Sequence, residues 1–136
     1  MHLSYPTFLL PIVSIPPHML YNKANVSLKE KTVRINMHIL AMEISLYLPY
    51  AHSLKDKRRV RQSLMAKLSK HFSLSVRESD MQELSQKLVL SAALVCLTPG
   101  EGENEVQKIQ DYLYQFTLEE SCEVQDFLWD MIDVFH

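Results

Sequence analysis

Within the fourteen residues from Ala51 to Leu64, AHSLKDKRRVRQSL, a histidine, a serine and an aspartate stand close together ahead of a burst of positive charge. His52 and Ser53 are adjacent and Asp56 follows about one helical turn on, which supplies the residue types of a nucleophile, its base and an orienting carboxylate. Adjacent residues direct their side chains apart, however, and Ser53 has another use. Its hydroxyl can accept from the backbone N–H of Asp56 while Asp56 reaches back, in the S-x-x-D form of a capping box, so a helix is expected to begin at Leu54. Catalysis is not expected there.

Charge is the chemistry that remains. Of the chain's 14 Lys and Arg, Lys55, Lys57, Arg58, Arg59, Arg61, Lys67 and Lys70 fall in this one helix, against the single acid Asp56. A helix N-terminus offers free N–H groups and positive potential, so His52, Ser53, Lys55, Lys57, Arg58, Arg59 and Arg61 form a candidate site for phosphate. RNA backbone or a ribosomal surface is the leading partner, bound without reading of base sequence. The alternative is a solvated face, or one neutralised by the chain's own acids, since Glu101 to Asp133 holds ten acids and only Lys108 as a base.

Composition narrows the other classes. A chain of 136 residues with 47% hydrophobic and 22% charged residues fits one globular domain plus a tail. Its two glycines, Gly100 and Gly102, are too few for a nucleotide-binding loop and come too late for the phosphate loop of an acylphosphatase. Cys96 and Cys122 have no metal-ligand spacing and form no disulfide framework, which favours a reducing compartment, the cytoplasm. No two histidines stand at i, i+4, so neither a metal nor a cofactor is expected.

Residues 1–36 read as an extended, poorly ordered extension, because Pro6, Pro11, Pro16 and Pro17 interrupt an apolar run too short to cross a membrane and preceded by no Lys or Arg. A biological start at Met37 is an equal alternative. From His38 to Leu48, Leu40, Met42, Ile44, Leu46 and Leu48 alternate with Ala41, Glu43, Ser45 and Tyr47, the pattern of a half-buried strand. In the helix after Pro49, Val60, Leu64, Leu68 and Phe72 share one arc. Lys57 and Arg61 project into that arc and must snorkel past the sheet or meet a carboxylate.

Phe72 to Val76 is a short strand candidate, Glu78 to Gln86 a polar connection, and Lys87 to Thr98 a central strand. Pro99, Gly100 and Gly102 then read as a break before a second amphipathic helix carrying Val106, Ile109, Leu113 and Phe116. The segment Cys122 to Phe135 suits strand or helix by pattern alone. Element order arbitrates: strand, helix, strand, strand, helix and a final strand make the split βαβ (βαββαβ) arrangement of a ferredoxin-like α+β sandwich over 37–136, with sheet order 4-1-3-2. Both helices then cover one face. The other lacks the aromatics of a base-stacking platform, offering Ala41, Glu43, Ser45, Ser91, Ala93 and Val95. Carrying Tyr47, Val89 and Val95, that face is a candidate homodimer surface. Trp129, Met131 and Phe135 are open to the same use or equally to a place in the core, the commoner fate of such residues.

The motif LP-x-AHSLKDKR, from Leu48 to Arg58, resembles the YlxP-like family of small bacterial proteins, and the order of elements from about Met37 to Phe116 is similar. That family's second motif, E-x-x-H-Q-D-x-W-Q-R, aligns with Glu78 to Lys87. Gln82 and Gln86 are kept, Met81, Glu83, Ser85 and Lys87 differ, and Ser91 replaces a family glycine. The resemblance implies a ferredoxin-like fold, adds Gln82 and Gln86 to the candidate site, and implies no established activity. Genes of that family often lie beside those for translation initiation and ribosome maturation factors, which implies an association with RNA or ribosome assembly. The expectation is thus a non-catalytic binding protein.

Overall fold

The computed structural model describes residues 36–135. The expected tail, apart from Asn36, lies outside the described residues, as does the alternative of a start at Met37. Strand β1 (His38–Tyr47) buries Leu40, Met42, Ile44 and Leu46 on one face, as its alternation requires. Helix α1 (Leu54–Phe72) lays Val60, Leu64 and Leu68 against that face and ends where Ser73 adopts the left-handed conformation, φ 56°. β2 (Ser75–Asp80), β3 (Lys87–Cys96), α2 (Pro99–Glu120) and β4 (Glu123–Asp133) complete the chain. The sheet order is β2-β3-β1-β4 with every neighbour antiparallel, the ferredoxin-like βαββαβ arrangement. Leu88 and Leu90 of β3 and Ile109, Leu113 and Phe116 of α2 close a single core.

Two expected boundaries move. Phe72 belongs to α1, where it packs edge-on against Tyr112 at 5.5 Å, so the strand placed over Phe72 to Val76 begins instead at Ser75 and runs on to Asp80. Glu78 is therefore a strand residue. Pro99, Gly100 and Gly102 do not break the chain: Thr98 Oγ1 accepts from Glu101 N at 3.1 Å, and Pro99 occupies the first turn, where its missing N–H costs nothing. Gly102 is buried within α2, and a Cβ there would lie 2.0 Å from Met131 Cε, so the glycine permits that close approach to β4.

The last strand resolves its own ambiguity through a bulge. Leu46 faces Val124 and Ser45 faces Asp126, leaving Gln125 unpaired, so Val124 and Phe127 share the helix-side face although they are three apart. Cys96 pairs with His38 at one end of β1, whereas Cys122 precedes Glu123, the partner of Tyr47 at the other. A ten-residue strand spans about 30 Å, and both thiols are free.

Candidate functional site

The corner between β1 and α1 is assembled from backbone outward. Leu48 N donates to Gln86 O at 2.9 Å and Ala51 N to Leu48 O at 3.2 Å, which turns the chain toward the helix. Ser53 Oγ then accepts from Asp56 N at 3.1 Å, while His52 N donates to Asp56 Oδ2 at 3.0 Å. The aspartate thus serves the residue before the cap, His52, where a capping box serves the cap itself. Ser53 and Asp56 are thus engaged in starting a helix, and the nucleophile–base geometry that the residue types suggested is not formed.

Lys57 is 1% exposed. Its Nζ donates to Met81 O at 2.8 Å and Leu84 O at 2.9 Å and lies 2.7 Å from Glu78 Oε2. Glu78 Oε2 has no aligned hydrogen bond, so charge holds that last contact. The other oxygen of the same carboxylate accepts from Arg61 Nη1 at 2.9 Å. One half-buried glutamate thereby balances two cations that the helical wheel had pushed into the apolar arc. Burying an ammonium without such partners costs several kcal/mol, roughly, which is why the 81–84 loop and β2 must close on it. Of these two residues of the candidate phosphate site, Lys57 is thus engaged within the fold, while Arg61, its side chain 28% exposed, is tied to Glu78 through one nitrogen.

The two sequence motifs meet at this joint. Gln86 Nε2 donates to Pro49 O at 3.1 Å and Gln82 Nε2 to Glu78 O at 3.4 Å, so both glutamines brace the corner. Arg59 reaches Glu120 Oε1 at 3.3 Å, at the C-terminal end of α2 and beside a cavity of about 140 Å³ walled by Leu48, Tyr50, Ala51 and Val60. Lys67 lies over the Phe116 ring at 5.4 Å. Lys55 and Arg58 are exposed and have no ion pair among the described residues, and His52, Ser53, Arg59 and Gln82 of the candidate site are exposed with them.

A second region was not singled out by sequence. Between α2 and β4 runs a groove of about 370 Å³ lined by Gln110, Leu113, Tyr114, Thr117, Val124 and Phe127. Tyr114 (63%) and Leu118 (60%) of α2 and Trp129 (42%) on the helix-side face of β4 are exposed, although the core was the commoner expectation for Trp129, whereas the exposed Leu128 (53%) lies on the bare face of the sheet. Met131 does pack against the core, being only partly buried. At the turn into β4, burial, then Glu120 and Glu123, push the Cys122 thiol up to about 11; burial, then Glu101 and Glu105, also raise that of Cys96.

Fold and corner together define a small ferredoxin-like α+β domain whose most charged helix is pinned by a buried lysine. Residues 39–126 match the model of the family described as protein of unknown function (DUF503), and the chain belongs to that family. No curated protein matches the chain. The match contains the whole lysine joint and stops before Phe127, Leu128 and Trp129. Among the described residues, no helix is long and apolar enough to cross a membrane.

Proposed function

We propose that this is a non-catalytic binding protein that engages a protein partner through the flank formed by α2 and β4. The observation that carries this is the groove between α2 and β4, with the exposed Tyr114 in its wall and the exposed Leu118 and Trp129 on the same two elements. The motif LP-x-AHSLKDKR supports a finer placement among the YlxP-like bacterial proteins, and two distant free thiols suit the cytoplasm.

RNA or a ribosomal surface bound at the α1 N-terminus is the second reading, favoured by the exposure of Lys55 and Arg58. Lys57 is buried against Glu78 and Arg61 shares that carboxylate, which reduces the phosphate contacts on offer. A homodimer through the bare sheet face is favoured by the exposed Val95, Leu128 and Ile132 and opposed by the burial of Val89 and by Lys87 lying over the Tyr47 ring at 6.0 Å. A photo-crosslinking residue placed at Tyr114 or at Arg58 in the native cell separates these readings. Protein adducts at Tyr114 that survive nuclease are expected; nucleic-acid adducts at Arg58 with none at Tyr114 would reverse the choice.

A further inference from the structure

We infer that the outer edge of β4 takes up an extended basic segment of another protein as a fifth strand. This rests on the flank reading above and names the chemistry of its partner. Among the described residues β4 pairs only with β1, so its other edge presents a row of N–H and C=O groups with no neighbouring strand. Natural edges are blunted by lysine, proline or bulges. β4 has eleven residues and contains no lysine or proline, and its one bulge lies near its start, so pairing with β1 is regular from Asp126 to Asp133. Among the described residues, the edge from Asp126 to Ile132 is covered by nothing but its own charge.

That charge selects the occupant. Asp126, Leu128, Asp130 and Ile132 line the bare face of the strand, opposite Ser45, Glu43, Ala41 and Ile39, whereas Phe127, Trp129 and Met131 line the helix-side face. Two copies pairing antiparallel about Leu128 would set Asp126 of each directly against Asp130 of the other, and like charges so placed repel. A second copy in that register is thereby disfavoured. A strand whose Lys or Arg residues alternate with Val, Ile or Leu would instead meet Asp126 and Asp130 on one face and extend the Phe127 and Trp129 surface beside the groove on the other. Main-chain bonds would supply affinity and the alternation specificity, as in other strand-addition complexes. Glu119 and Glu123, both exposed nearby, add to the attraction.

Trp129 is the chain's single tryptophan, so the full-length protein reports its own binding. Titration with acetyl-Lys-Val-Lys-Val-Lys-Val-Lys-amide is expected to shift Trp129 emission to the blue. Changing Asp126→Lys with Asp130→Lys should weaken binding at least tenfold, as should N-methylation of alternate peptide bonds in the same peptide, which blocks strand pairing without touching the protein. Equal affinity for Lys-Lys-Lys-Lys-Val-Val-Val would overturn the inference, leaving charge attraction alone. So would unchanged emission at saturating peptide, or a dimer in sedimentation equilibrium that Leu128→Asp dissolves. Crosslinks at Tyr114 without peptide binding would leave the flank as an interface and remove strand addition.

Discussion

At the corner between β1 and α1, charge points inward and meets its own carboxylates; on the flank of α2 and β4, charge points outward beside apolar side chains that nothing in the described residues covers. The basic cluster is the denser signal in sequence, yet Lys57 and Arg61 share Glu78, and Arg59 leans on Glu120. Within the acidic third of the chain, Lys108 lies 3.4 Å from Glu105. Charge density along a chain therefore does not rank surfaces for binding. What ranks them is how many of those charges the fold has already matched.

The contrast can be broken at its strongest point first. Glu78→Ala leaves the Lys57 ammonium buried beside Arg61, and a loss of about 3–5 kcal/mol in urea unfolding is expected. A loss under about 1 kcal/mol would mean that the corner is held by packing and that its cations are free after all. Next in size is a pH effect on the acidic side. Because the Cys122 thiol is held at about 11 in the fold, against 9.0 ordinarily, the unfolded chain gives up its proton first. That contribution is whole below pH 9 and is lost as pH rises toward 11, by on the order of 2 kcal/mol. Urea midpoints of the wild type and of Cys122→Ala, compared at pH 8 and pH 11, isolate it as the difference between the two slopes. Smallest is the packing of α2 on β4: Gly102→Ala should cost about 1 kcal/mol as Met131 is displaced, and the cost should vanish in a Met131→Ala background. Gly100→Ala, with open space around its Cβ, should be neutral or gain up to about 1 kcal/mol.

Alternation along β1 and helical spacing in α1 and α2 were plain in the sequence because each element buries one face against a common core. β2 was misplaced because it is a polar edge strand following a serine in the left-handed cap, so neither an apolar alternation nor a glycine marked where α1 ends. The start of α2 did carry a signal, Thr98 three residues before Glu101, which the neighbouring glycines obscured. At the corner, the sequence implied that Lys57 and Arg61 needed a carboxylate but not which one. Glu78 had been assigned to a connection, so its approach to them was invisible until β2 was in place. The flank stayed hidden for a related reason: an extra residue breaks the alternation of β4, and only pairing with β1 shows that Val124 and Phe127 share a side.

That extra residue also gives the bare side of the sheet a direction. Freed from pairing, Gln125 turns its amide oxygen to the Lys87 ammonium on β3, and Lys87 in turn lies 6.0 Å over the ring of Tyr47 on the strand between them. Three neighbouring strands are buttoned together at that end by polar side chains. At the far end, Ile39 sits between Val95 and Ile132 with no such fastening among the described residues, so a body approaching the sheet from below meets a shut end and an oily doorstep.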